Sequence, residues 1–194
     1  MRRLVLGAAL LAAAMATASA GSTPARDALV RPGTAIGKVR LGMTLAEVRR
    51  AIGTPQYVNR RVRVGFGRTY VEYAWDHRFM TVGFFLRDGR LRAARISTTS
   101  PRERTREGVG IGSRPRDVAR RFANATCRYK YPPGVEWVTV VHPNGRQTMF
   151  VVELDGIGPV RRRVMEIVVK ESFPEYWFAP SRYDHACPRD WRTL

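Results

Sequence analysis

Glu72, Asp76 and His77 fall within six positions of one another and are of the types that move protons. A carboxylate beside an imidazole is the usual source of general acid–base work near neutral pH. Their spacing argues against it here. The run around them, Tyr70-Val71-Glu72-Tyr73-Ala74-Trp75, is aromatic and β-branched and predicts a strand. Successive strand residues point to opposite faces, so Asp76 and His77 do not converge. The same holds for Asp184 and His185 in the tail, and His142 stands alone. The sequence contains no HExxH, CxxC or GxSxG. Neither a metal centre nor a nucleophile elbow is signalled, and nothing asks for a cofactor.

Two cysteines, Cys127 and Cys187, have a single possible intramolecular pairing. Closing a loop of about 60 residues would remove roughly 4 kcal/mol of entropy from the unfolded chain. It would also pin the C-terminal residues to the second half. "GVGIGSRP", Gly108 to Pro115, has the look of a phosphate-cradling loop. A nucleotide site would need a buried strand before it and a parallel crossover after it. "SPRERTRE" precedes it instead, so a glycine-rich approach to a helix is the expectation.

The chain starts "MRRLVLGAALLAAAMATASA", with Arg2 and Arg3, an uncharged run from Leu4 to Ala16, and Ala18-Ser19-Ala20. That is the grammar of a cleaved secretion signal, so residues 1–20 are expected to be removed and the rest exported. Lys plus Arg number 34 against 16 Asp plus Glu, a formal charge of +18. A basic chain invites a nucleic-acid reading, and "MTLAEVRRAIGTPQYVNRR" mimics the start of a helix-turn-helix. Export argues against it. The charge then fits an anionic surface polymer or an acidic protein face in the envelope or outside the cell.

The elements that position these residues repeat. "RLGMTLAEVRRAI" from Arg40 aligns with "GIGSRPRDVARRF" from Gly110, placing Gly42 on Gly112, Glu47 on Asp117 and Val48 on Val118. Thr44 and Glu47 form a capping box, the hydroxyl and the carboxylate each meeting a free backbone N–H. In the second copy Ser113 or Arg114 holds the boundary, Pro115 suits the first turn, and Asp117 supplies the negative charge. Strands follow both helices, with Asp88-Gly89, Asn144-Gly145 and Asp155-Gly156 as hairpin signals. The reading is an α+β chain of two tandem repeats, each a short helical segment packed on an antiparallel sheet of three or four strands. Its boundaries are a flexible N-terminus over 21–34, a first repeat over 35–105, a second over 106–178 and a tail over 179–194. "TTSPRERTREG" reads as the linker.

"GMTLAEVRRAIGTPQ", Gly42 to Gln56, resembles the helix header of the SmpA/OmlA (BamE-like) envelope family. Gly42, Met43, Thr44, Val48, Ile52, Gly53 and Pro55 carry the match. The duplicated arrangement is similar to the β-lactamase inhibitor protein (BLIP) family, in which two such units present a sheet that grips an enzyme. The resemblance implies a secreted, non-catalytic protein that docks an envelope or extracellular protein, or an anionic polymer, on its sheet. Inhibition of an extracellular enzyme is the specialised alternative, with the turns at Asp76-His77 or Asn144-Gly145 inserted into the target. An extracellular enzyme with a loop-built site is the rival class. The candidate binding surface comprises Tyr70, Tyr73, Trp75, Trp137, His77 and Asn144. Period-2 alternation puts Tyr73 and Trp75 on one face and Tyr70 with Glu72 on the other.

Overall fold

A computed structural model describes residues 28–64, 68–130, 135–153, 163–171, 184–187 and 192. In chain order it holds β1 (Leu29–Arg31), β2 (Ala35–Ile36), β3 (Val39–Arg40), α1 (Leu45–Ile52), β4 (Tyr57–Val64), β5 (Arg68–Trp75), β6 (Met80–Arg87) and β7 (Arg90–Thr98). There follow β8 (Arg104–Thr105), α2 (Pro115–Arg121), β9 (Ala125–Lys130), β10 (Val135–Val141), β11 (Gln147–Glu153), β12 (Arg163–Lys170) and β13 (Asp184–Ala186). The signal-like residues 1–20 and the Asp155-Gly156 turn lie outside the described residues. No helix among the described residues is long and apolar enough to cross a membrane.

Both helices start as their sequences dictate. Thr44 takes an extended backbone, its Oγ1 accepts from the Glu47 N–H at 3.2 Å, and the Glu47 carboxylate accepts from the Thr44 N–H at 2.7 Å. The bond from the Thr44 N–H, and a second from the Thr44 hydroxyl to the same oxygen at 2.8 Å, hold the Glu47 carboxyl below its usual range. Gly53, at φ 93°, stops α1, and Val48 and Ile52 face inward. In α2 the boundary residue is Arg114, whose N–H is accepted by Asp117 Oδ2 at 2.9 Å. Ser113 is not the cap. Its Oγ accepts the Gly110 N–H at 3.0 Å and so closes the turn before the helix.

After each helix comes an antiparallel meander of four strands, β4–β7 and β9–β12, where the sequence showed three strands clearly. The two meanders share one sheet. β7 pairs antiparallel with β12, giving the order β13-β9-β10-β11-β12-β7-β6-β5-β4. Lys170 lies opposite Arg95 and Ile167 opposite Thr98. Asp88 and Gly89, at φ 49° and 69°, make the β6–β7 turn that their sequence predicts. Two expectations are corrected. Residues 28–34, read as flexible, contain β1, because Val30 is buried. The "linker" contains β8, which pairs parallel with β1 in a second sheet, β3-β2-β1-β8. Part of the tail also has a place: β13 pairs with β9. Cys127 and Cys187 stand beside that pair at disulfide distance, Cα to Cα 5.4 Å.

The largest core cluster lies on one side of the large sheet. Val48 and Ile52 of α1, Val118 and Ala119 of α2, and Val30, Ile36 and Val39 of the small sheet pack with Trp75, Phe84, Ile96, Phe150 and Ile167. Trp75 is wholly buried, and its indole N–H donates to the Gly53 carbonyl at 2.8 Å, tying β5 to the end of α1. The small sheet is fixed to the second half as well, because the Gly33 N–H donates to Thr148 Oγ1 at 2.7 Å. His142 Nε2 lies 3.0 Å from the same hydroxyl, and burial lowers the pKa of that imidazole.

Candidate functional site

Helices and small sheet occupy one face of the nine-stranded sheet; among the described residues no element packs on the other. Strand alternation sets what the helix-free face carries. Two small apolar clusters lie there and are themselves buried, Tyr70 with Phe85 and Ala94 in the first half, and Met149 with Val151 and Val168 in the second. Between them runs a chain of charge. The Arg95 guanidinium reaches Glu72 Oε2 at 3.4 Å and Glu166 Oε1 at 3.0 Å. Tyr70 donates its hydroxyl hydrogen to Glu72 Oε2 at 2.8 Å. One arginine thus joins carboxylates from β5 and β12, across the seam between the two meanders.

The seam's geometry depends on Gly83 of β6. Glu72 is opposite Gly83, and Gly83 is opposite Arg95. A Cβ at Gly83 would run into the Tyr70 ring, with Cε2 at 2.6 Å. The missing side chain lets the phenol lie across β6 and the arginine reach over it.

Burial tunes two groups on this face. The Lys170 ammonium, opposite Arg95 in the register, is brought down to about 8, first by burial and then by the Arg95 charge. The Tyr70 hydroxyl is pushed up, first by burial and then by the Glu72 charge. The linkage signs follow. An unfolded lysine is protonated below about 10.5 and the folded one only below about 8. As pH rises through that window the unfolded chain loses its advantage in binding the proton, and stability increases by roughly 3 kcal/mol. Tyr70 acts oppositely. Its stabilising effect is complete below the unfolded value of 10.0 and is lost as pH rises toward its raised folded value. Urea unfolding across the alkaline range should therefore show stability climbing from about pH 8 to a maximum near pH 10, then falling. A flat profile over that interval would show that neither group is buried as described.

The six candidate binding residues do not form one surface. Trp75 is core, and Tyr73 packs edge-on against Phe84, centroids 5.6 Å apart, on the helix side. Alternation had sorted Tyr70 from Tyr73 and Trp75 correctly, but both of the latter point to the covered face. Tyr70 is on the helix-free face, although nearly buried there. Trp137 holds a register position opposite Val151, which belongs to that face. His77 stands in the turn between β5 and β6, its Nδ1 2.6 Å from Gln56 Nε2. Asn144 stands in the β10–β11 turn, accepting the Arg146 N–H at 3.1 Å. Because β7 and β12 run antiparallel, these two turns fall at opposite ends of the sheet. They cannot enter one target site together.

A cleft of about 300 Å³ opens at the β5–β6 turn, lined by Asp76, Phe79, Thr81, Ser97, Thr99 and Glu166 among others. Neither Glu72 nor His77 reaches it. Asp76–Arg78 forms a single 3-10 turn, and Gln56 accepts the Asp76 N–H at 3.1 Å. Phe79 closes the turn in the left-handed region, φ 52° and ψ 37°, with 60% of its surface exposed. A non-glycine residue there costs about 1 kcal/mol or more. Sequence inspection missed Arg95, Glu166 and Phe79. The findable signal was a charge placed inside otherwise apolar strands, as in "LRAARIST" and "RVMEIVVK".

Comparison of the chain with protein-family models, with curated proteins and with solved structures finds no match.

Proposed function

We propose that this chain is a secreted, non-catalytic binding protein, made of two copies of one helix-plus-meander unit, which docks an envelope or extracellular partner on its helix-free sheet face. The observation that carries the reading is the seam: the partly exposed Arg95 held between the partly exposed Glu72 and Glu166, in a line across the junction of the two meanders. Folding alone does not require a line of charge there. Apolar residues of similar volume would hold two meanders together at least as well. A fixed, satisfied polar line that stays partly exposed is how a recognition surface sets register.

Three features support the rest. Helix then four-strand meander occurs twice in the same order, and Gly42–Glu47 matches Gly112–Asp117 at the helix starts. A cysteine pair at disulfide distance suits an oxidising compartment. The charge of +18 provides long-range attraction to an acidic partner or polymer without itself setting specificity. The resemblance of Gly42–Gln56 to the BamE-like helix header is a further support for the reading.

The test is affinity capture from the producing cell's envelope and medium at low and at moderate ionic strength. A face that recognises its partner retains it at both. A partner lost at moderate salt reports charge alone, since exposed charges are screened beyond about 8 Å at physiological ionic strength. Capture of nothing at either salt would end the reading.

A further inference from the structure

The cleft at the β5–β6 turn has an unusual lining for so basic a protein. Of its two carboxylates, Glu166 is neutralised by Arg95, while Asp76 is exposed and has no ion-pair partner among the described residues. Thr81 and Thr99 line the cleft and their hydroxyls make no hydrogen bond among the described residues, and the Ser97 hydroxyl accepts from Arg95 at 3.4 Å. One wall is the Phe79 ring. The backbone that carries it is fixed from both sides: the Phe79 N–H donates to the Asp76 carbonyl at 2.9 Å, and the Phe79 carbonyl accepts the Thr99 N–H at 3.0 Å.

An exposed ring, a free carboxylate and free hydroxyls around about 300 Å³ are the fittings for a pyranose. Apolar C–H groups on one side of the sugar would stack on Phe79. Vicinal hydroxyls would donate to the Asp76 carboxylate and exchange hydrogen bonds with Thr81 and Thr99. A cation would use the same carboxylate and ring, but it would have to approach Arg78, on the same turn, and a molecule of charge +18. Electrostatics favours the uncharged ring.

We propose that this cleft binds one sugar unit of a surface polysaccharide, an inference that deepens, and rests on, the reading of the adjoining face as a docking surface. Arginines elsewhere on the protein would meet the polymer's anionic groups, and the cleft would read its sugar.

Amide NMR spectra of the protein titrated with chitotriose, a hexuronate tetrasaccharide and ethylammonium test this. The expected result is that a saccharide shifts the Asp76–Thr81 and Ser97–Thr99 signals in a saturable way and ethylammonium does not. Phe79→Gly, which suits the positive φ, and Asp76→Asn should each weaken that response by roughly tenfold, as loss of a stacked ring or of a charge-assisted bond does. Both positions are exposed, so the spectra of the variants should otherwise match the parent. Shifts with ethylammonium alone would overturn the proposal in favour of a cation site, and no shift with any probe would overturn it outright. If the sugars fail while a partner is still captured, only the sugar site falls; absence of capture removes the docking face itself.

Discussion

Replacing Trp75 with alanine should lower the unfolding free energy by about 4 kcal/mol, the range for truncating a large buried aromatic. The side chain is wholly buried between β5 and the end of α1, and its N–H is the only polar atom it has to satisfy. Truncation removes the packing and also strips the Gly53 carbonyl of its donor, just where α1 stops. The helix end and the sheet would loosen together. Against a typical total of about 5–15 kcal/mol, the variant would be marginal. Trp75→Phe separates the contributions, because it keeps most of the apolar contact and loses only the bond, at about 1–2 kcal/mol. Urea unfolding of both variants gives the comparison. A loss below about 1 kcal/mol for Trp75→Ala would mean that the indole is not seated in the core as described.

Opening the cysteine pair is the second large perturbation. Cys127 and Cys187 are 60 residues apart in sequence, so a bond between them closes a long loop. The double variant Cys127→Ala/Cys187→Ala should lose roughly 4 kcal/mol by the loop-entropy estimate. The damage should be uneven. β13 is a three-residue edge strand, held by its pairing with β9 and by the cysteines beside it. Hydrogen exchange should accelerate most in β13 and along the β9 edge, while the β6–β7–β12 centre stays protected. Uniform loss of protection would show that the pair supports the whole sheet rather than its edge.

Local chemistry explains why much of the fold was legible. Thr44 with Glu47, Pro115 with Asp117, and Asp88 with Gly89 each fix backbone geometry through atoms within four residues, so a reader of sequence sees cause and effect together. Two cysteines have one pairing. The pairing of β7 with β12, and of β1 with β8, depends on surfaces distant in sequence, and no local pattern announces it. Alternation separated Tyr70 and Glu72 from Tyr73 and Trp75, but a strand's pattern does not tell which face a helix will cover. That ambiguity put Trp75 among the candidate binding residues when it is core. The Glu72–Arg95–Glu166 line was hidden for a related reason. Each residue reads as an ordinary solvated charge until the two meanders are joined.

The central claim is that the partner meets the helix-free face. Capture of the partner should therefore be compared between two variants with equal change of charge. Arg95→Gln/Arg128→Glu alters that face, where Arg128 stands exposed on β9 opposite Trp137. Arg50→Gln/Arg120→Glu alters exposed positions on the two helices. The account predicts at least tenfold weaker capture by the first variant and near-parental capture by the second, a difference of about 1.4 kcal/mol or more. Equal losses in both would show that overall charge governs binding, and a loss confined to the helix variant would place the partner on the opposite side of the molecule.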